Sequence, residues 1–281
     1  MSKTIAIINN EFTSKIEGSR YLLAQMVERW KNGGFEISVS AGCKFIPADL
    51  AILHVDTTVV GDEYMELASR YPVVLNGKVR DILKSSVSQY LLAKDDTYEG
   101  PVIVKTNANY GGFNEFVIAA ESGKATWYDP DTERPWRKRE VMDSMNYPVF
   151  SSISDVPPGV WKNDRLVVEK FLPERLENGD YRCRSYFFFG RQEFATWISS
   201  PRPVFKTPMA TGTGVIREIP QSLRDIRKRS GFDFGKFDYT EVNGEVFVYD
   251  MNKTPAFGTV MQSLFSTGEL DTFASAIHDF L

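Results

Sequence analysis

The chain has 281 residues and carries 33 Lys+Arg against 37 Asp+Glu, a formal charge of −4. Apolar residues make up 42% and charged residues 25%, a balance that supports a sizeable core and excludes a disordered or fibrous chain. The acidic balance gives no global field for nucleic acid, Cys43 and Cys183 build no disulfide framework, and no run of about 18 apolar residues offers a membrane helix.

No apolar N-terminal run resembles a signal peptide, so the expected compartment is the reducing cytoplasm. The two histidines, His54 and His278, lie far apart in sequence. A Cys/His zinc site or a Ser–His–Asp triad has little material here. An enzyme of this composition would work with carboxylates, lysines, arginines and a hard metal ion.

Taken in order, Lys3-Thr-Ile-Ala-Ile-Ile-Asn9 reads as a buried strand. Residues 14–31 place Tyr21, Leu22, Met26, Val27 and Trp30 at helical spacing, and Asn32-Gly-Gly34 ends that helix. Residues 35–39 and 50–55 are strand candidates, 62–70 a helix and 73–75 a strand. The alternation predicts a small α/β unit with a mainly parallel sheet over the first 80 residues. From Asp81 the character changes. Residues 85–93 read as a helix, and 102–106, 115–120, 125–128 and 166–171 as strands, with Glu121-Ser-Gly-Lys124 as a hairpin turn. Residues 148–158 read as a loop. Residues 182–189 and 192–198 form a hairpin around Gly190-Arg191, 222–230 a helix, 237–241 and 245–250 strands around Asn243-Gly244, and 271–281 a closing helix.

Three segments carry chemistry. In Lys236-Phe-Asp-Tyr-Thr-Glu-Val-Asn-Gly-Glu-Val-Phe-Val-Tyr-Asp-Met-Asn-Lys-Thr-Pro255 two strands meet at a turn. Asp250 and Asn252 share a strand face, as do Lys236 and Asp238. Two carboxylates and an amide oxygen form a hard-oxygen set suited to Mg²⁺, although an edge hairpin with solvated acids has the same composition. Register decides between them. A two-residue turn at Asn243-Gly244 pairs Val242 with Glu245 and puts Asp250 on the face opposite Asp238. A three-residue loop with Gly244 as bulge residue pairs Glu241 with Glu245 and puts both acids on one face. On this reading the metal set requires the bulged loop.

The second segment is Val102-Ile-Val-Lys105, which runs into Thr-Asn-Ala-Asn-Tyr-Gly-Gly112. A lysine closing an apolar strand before a glycine loop suits a phosphate cradle, or else a plain hairpin turn. It lacks the Gly-Lys-Ser/Thr of the Walker pattern. Third, Leu166-Val-Val-Glu-Lys-Phe-Leu172 precedes Glu174, Glu177 and Gly179-Asp-Tyr-Arg182-Cys-Arg184. A strand leaving its edge at residues 170–172 can offer backbone groups to an adenine, and a nearby acid can hold ribose hydroxyls. Arg182 and Arg184 share a face suited to clamping carboxylate or phosphate. The plain alternative is a charged loop after a core strand.

The order of these signals resembles the ATP-grasp superfamily, which includes D-alanine–D-alanine ligases, glutathione synthetases and ribosomal-protein glutamate ligases. The resemblance runs from about Lys84 to the C-terminus, and Tyr-Asp-Met-Asn-Lys-Thr-Pro255 is its most specific match. It implies a mixed α/β and α+β fold. A Rossmann-like pre-grasp domain would occupy 1–80, a central ATP-grasp lid subdomain 81–170, and a C-terminal ATP-grasp subdomain with the metal site 171–281. Lys84 and Lys105 look like the lysines that contact ATP phosphates. Asn107, Gly111 and Gly112 look like part of the loop that closes over them. Glu169, Lys170, Phe171 and Leu172 look like the adenine hinge, with Glu177, then Asp180, as the ribose acid. Asp238, Asp250 and Asn252 look like the Mg²⁺ ligands. Lys236 stands where a basic residue steadies the reacting acyl phosphate, and Arg182 or Arg184 could assist. Lys206 and Arg217 fall where the family often places substrate contacts. Two departures stand out: Asp250 replaces the usual Glu, and the 107–112 loop lacks the usual Gly/Ser-rich composition.

The implied activity is ATP-dependent ligation of a carboxylate to an amine through an acyl phosphate, with ATP and Mg²⁺ as cofactors. The implied partners are a small-molecule or peptide carboxylate and an amine, neither nucleic acid nor membrane, with a homodimer as a common assembly. The atypical loop and Asp250 leave open a nucleotide-binding regulatory module without turnover. A phosphotransferase acting on another acceptor is the third reading.

Overall fold

The computed structural model describes residues 2–12, 16–125 and 134–281. The apolar N-terminal run forms β1 (Thr4–Asn9), buried from Ile5 onward. Helix α1 (Leu22–Asn32) follows and buries Leu22, Leu23, Met26, Val27 and Trp30 on one face. Strands β2 (Glu36–Ala41) and β3 (Leu50–Leu53), helix α2 (Asp62–Ala68) and strand β4 (Val74–Leu75) complete a four-stranded parallel sheet of order β2-β1-β3-β4.

The middle of the chain holds α3 (Lys84–Val87), β5 (Val102–Thr106), α4 (Phe113–Glu121), β6 (Val149–Phe150) and β7 (Leu166–Lys170). Its three strands pair antiparallel in the order β6-β5-β7. The last part contributes β8 (Glu174–Arg175), β9 (Tyr181–Phe189), β10 (Gln192–Ser200), β11 (Gly212–Ile216), α5 (Gln221–Ser230), β12 (Phe234–Val242), β13 (Glu245–Asn252), α6 (Thr259–Gln262) and α7 (Thr267–Ser275). Their sheet runs β11-β10-β9-β12-β13, with β8 on β9. Both of its faces are covered. Phe187 and Phe189 pack toward α1 and α7, whereas Tyr186 and Phe188 pack with Phe237, Tyr239 and Leu223 of α5. Among the described residues no helix is long and apolar enough to cross a membrane.

Several sequence expectations change. Residues 115–120 are helical within α4, not a strand, and Phe116 is its buried contact. Glu121-Ser-Gly-Lys124 caps that helix instead of turning a hairpin: Gly123 adopts φ +71°, and the N–H groups of Gly123 and Lys124 reach the carbonyls of Ala120 and Ala119 at 3.0 and 2.7 Å. The strand expected at 125–128 falls on residues 126–128, outside the described residues. The helix expected over 85–93 stops at Val87, because the chain beyond it pairs with the edge of β7. Lys170 donates to the Tyr90 carbonyl and Leu92 to that of Val168, both at 2.9 Å. The loop at 148–158 contains β6. The closing helix starts earlier than expected, at a Ser266–Glu269 capping box, and tightens into a 3₁₀ turn at Ala276–Asp279.

A residue just after β4 helps to join the first sheet to the last. Asn76, fully buried and at φ +58°, follows β4. Its Nδ2 donates to the Phe234 carbonyl at 2.8 Å, and its Oδ1 accepts from the N–H groups of Asp233 and Phe234 at 3.0 and 3.1 Å. The Asn76 N–H in turn donates to Asp233 Oδ2 at 2.8 Å. Asn76→Ala leaves these buried groups unpaired and places alanine in the left-handed region. A loss of about 2–4 kcal/mol in unfolding free energy is expected from urea titration. Asn76→Asp, which sets a buried carboxylate oxygen against the Phe234 carbonyl and beside Asp233, should lose at least as much.

Candidate active site

The middle and last sheets face each other across a cleft. Strand β5 brings Lys105 into it, and β7 brings Glu169. The two side chains meet at 2.6 Å, almost wholly buried, and the Lys105 ammonium lies 5.1 Å from the centre of the Tyr249 ring. Glu169 Oε2 takes that ion pair, while Glu169 Oε1 is buried without a hydrogen-bond partner. A buried acceptor of this kind calls for a donor such as an exocyclic amino group. Lys170, Phe171 and Leu172 line the same cleft.

Lys84, at the start of α3, also enters the cleft, donating from Nζ to the Ala108 carbonyl at 3.0 Å and lying 3.9 Å from Asp250 Oδ1. Asn107 braces the loop instead of lining the cleft: its carbonyl accepts from Lys84 N–H at 3.0 Å and its Oδ1 from Ser85 N–H at 2.9 Å. Gly111 and Gly112 also lie outside the lining, while Tyr110 reaches it. At Gly111 a β-carbon would sit 2.1 Å from the Met142 carbonyl oxygen, so this loop accepts only glycine where it packs on residues 140–142.

The acids late in the chain come together by a route neither register anticipated. The turn at Asn243-Gly244 is the two-residue kind, pairing Val242 with Glu245. The bulge lies inside β13: Tyr239 pairs with Val248 but Asp238 with Asp250, so Tyr249 is the extra residue. Lys236 then pairs with Asn252. All four polar residues share one face, and Tyr249 and Asp250, though adjacent, both line the cleft. The sequence held a signal for this. Val246, Val248 and Met251 pack in one cluster, so the apolar spacing lengthens from two to three where the bulge occurs.

Asp238 is buried and fully engaged. Ser185 Oγ donates to Oδ1 at 2.6 Å and Lys236 Nζ to Oδ2 at 2.8 Å. Burial opposes ionisation, but the ammonium groups of Lys236 and Lys206 hold the carboxyl below its ordinary range. Lys206, on the loop after β10, lines the cleft beside Asp250. Burial works against its charge, yet the Asp250 and Asp238 carboxylates raise its pKa above the usual lysine value. Cys183 also lines the cleft, its Sγ 2.6 Å from the Tyr249 hydroxyl, and burial pushes the thiol up to about 11.

The remaining candidates divide between the cleft and its surroundings. Arg182 lines the cleft, with its Nε unpartnered. Arg184 is held by Glu174 through two bonds of 2.7 Å and by Glu241 at 3.0 Å, which gives it a bracing place. Glu177 and Asp180 sit in the turn between β8 and β9 and do not line the cleft. Arg217 is exposed past β11, also outside it.

Asp238, Asp250 and the Asn252 amide are hard oxygen donors on one face, and they fit Mg²⁺ chemically. Among the described residues no group of three or more His, Cys, Asp or Glu is placed to hold a metal, so any such set depends on the amide. Asn252 Oδ1 accepts from Thr254 N–H at 2.8 Å, which fixes its direction.

No family model matches the sequence, and no curated protein is similar to it. Solved structures are. The ligase PsnB, bound to a variant minimal precursor, Mg and ADP, aligns over 98% of this chain and 99% of its own, at 12% identity and a TM-score of 0.54. D-alanine–D-alanine ligase from Bacillus anthracis aligns over 100% and 97%, at 11% identity and a TM-score of 0.53. The fold is the ATP-grasp fold. D-cycloserine synthetase DcsG shares it over 98% of this chain and 99% of its own, at 11% identity and a TM-score of 0.52.

A second buried polar group within this ATP-grasp fold was not anticipated from sequence. His54 is fully buried against the Tyr21 ring, with neither ring nitrogen bonded, and burial pushes its pKa down to about 3. Lys253, next to Asn252, is 1% exposed, and its Nζ reaches the Thr58 carbonyl at 3.4 Å. Burial lowers the Lys253 pKa to about 8, against the pull of Asp56, Glu115 and Asp81. The unfolded chain, with a pKa near 10.5, therefore binds more protons at intermediate pH, and stability rises as pH climbs from about 8 to 10.5. Lys253→Met should be the more stable protein at pH 7, by at most about 3 kcal/mol, with the gap closing toward pH 10. Urea unfolding across that pH range checks this; a constant gap would refute it.

Proposed function

We propose that this chain is an ATP-dependent ligase that joins a carboxylate to an amine. The observation carrying this reading is the pairing of Asp238 and Asp250 on one face, each against a lysine, with Asp250 lining the same cleft as the buried Lys105–Glu169 pair. The N-terminal parallel sheet acts as the pre-grasp domain, and the two later sheets as the jaws that hold nucleotide between them.

In this reading Glu169 Oε1 accepts from the adenine amino group, and the backbone at 170–172 holds the base edge. Lys84 and Lys105 neutralise phosphate charge, with Lys206 as a third ammonium beside the acids. Asp238, Asp250 and Asn252 would hold Mg²⁺, which would supply charge neutralisation for phosphate oxygens. A substrate carboxylate oxygen attacks the γ-phosphorus, the bond to the β-phosphate oxygen breaks, and ADP leaves. Lys236, tied to Asp238 at 2.8 Å, stands on the same face to steady the resulting acyl phosphate. The amine nitrogen then attacks the acyl carbon, inorganic phosphate departs, and the nitrogen loses its proton to solvent. The protein positions and neutralises; the driving force is that of ATP.

Asp250→Ala and Asn252→Ala should abolish ADP release in a screen of pooled carboxylates and amines, while circular dichroism and melting temperature stay near wild type. Wild-type turnover in either variant would sink the assignment. A wild-type protein that binds ATP but releases no ADP from any pool would favour the binding module, and a phosphorylated product without amide would favour phosphoryl transfer.

A further inference from the structure

Thr58 lies in the loop after β3 and is 2% exposed. Each of its polar groups serves a different segment. Its N–H donates to Glu115 Oε1 on α4 at 2.5 Å. Its Oγ1 accepts from the Asn109 N–H at 2.8 Å. Its carbonyl accepts from Ile82 N–H at 3.1 Å and from Lys253 Nζ at 3.4 Å. One threonine of the N-terminal unit thus meets the 107–112 loop, the helix that follows it, and the residue after Asn252.

The loop needs such support. Tyr110 adopts φ +46° and ψ +41°, and Gly111 and Gly112 follow at φ +70° and +75°. Glycine takes this region freely, but a tyrosine there is strained and persists only where its flanks are fixed. Those flanks are fixed on both sides. Thr58 holds the Asn109 N–H, Asn109 Oδ1 accepts from Tyr110 N–H at 2.8 Å, and the Gly111 carbonyl accepts from Met142 N–H at 3.0 Å. The outcome is a tyrosine 61% exposed at the mouth of the cleft.

We infer that Thr58 is a positioning residue: from the N-terminal unit it sets the conformation of the 107–112 loop, and through that loop the affinity of the cleft for nucleotide. This rests on the nucleotide reading above. Losing the Thr58–Asn109 bond leaves the Asn109 N–H without its acceptor, a change of about tenfold in the equilibrium that holds the loop. Tyr110 can then relax toward an ordinary φ.

The test uses the full-length protein and two readouts. Chymotryptic cleavage after Tyr110, followed by mass spectrometry on nucleotide-free protein, reports the hold on the loop. Calorimetric titration with MgATP reports affinity. Thr58→Val keeps the shape and removes the acceptor, while Thr58→Ser keeps the acceptor. Asn109→Pro removes the donor from the other side, and Ala108 is already extended (φ −69°, ψ 151°), as a residue before proline must be. Thr58→Val and Asn109→Pro should each speed cleavage and weaken ATP binding by about tenfold, with Thr58→Ser close to wild type. Should Thr58→Val fail to fold, Asn109→Pro, which also removes the Asn109 Oδ1 acceptor for Tyr110 N–H, still reports whether the flank on the Thr58 side holds the loop. Unchanged cleavage in the valine and proline variants, faster cleavage with unchanged affinity, or a serine variant as impaired as the valine would each overturn the proposal. A wild-type protein that binds no ATP would sink the nucleotide reading and the affinity half of this proposal, and cleavage after Tyr110 would still decide whether Thr58 holds the loop.

Discussion

Tyr249 is one residue more than the pairing of β12 with β13 can accommodate, and the cleft is organised around that surplus. Regular alternation would turn Asp250 away from Asp238. The bulge rotates the end of β13 by one position, so that Asp250 and Asn252 fall in line with Asp238 and Lys236. It also lets Tyr249 reach Cys183 and lie beneath Lys105. Two carboxylates brought this close would repel, and burial would raise the cost further. Lysines offset both effects: Lys236 on Asp238, Lys84 near Asp250, and Lys206 facing the pair. The arrangement has an electrostatic logic before any ligand is considered.

The opposite wall follows a different rule. Lys105 and Glu169 neutralise each other on strands that are otherwise apolar, and they leave one carboxylate oxygen without a partner. A buried, half-satisfied group of this sort is tolerated where a ligand completes it. The solved structures share this fold at 11–12% identity, so the likeness extends to the fold and not to the side chains. What this chain does with the fold depends on the few polar side chains that face inward.

Much of this was legible in the sequence, for physical reasons. Buried strands such as β1 and β5 announce themselves as short apolar runs, and α1 by its apolar stripe. Asp238, Asp250 and Asn252 were legible as a group because oxygen-bearing side chains two apart on a strand share a face. The device joining them is not, since regular alternation counted back from the turn hides the break between Val248 and Met251. Residues 115–120 misled because Phe-Val-Ile suits a strand as well as a helix, and only Gly112, at φ +75° before Phe113, sets the chain on its helical course. Glu177 and Asp180 have suitable chemistry, but a tight turn keeps them from the cleft. Lys206 sits on a loop, where no periodicity indicates direction. Asn76, Thr58 and Lys253 are single polar residues whose partners lie far away in sequence, and no local pattern marks them.

The packing of α1 sets an order on assembly. Its apolar face, with Trp30 donating to the Ala274 carbonyl at 2.8 Å across 244 residues of chain, is completed by α7 and by Phe189 of the last sheet. The N-terminal sheet can form early and cover part of the stripe through Ile5, Ile7 and Leu50, but the share taken by Phe189 and Phe273 stays open until those later residues are made. The helix therefore gains its full cover only when residues 244 positions away are in place.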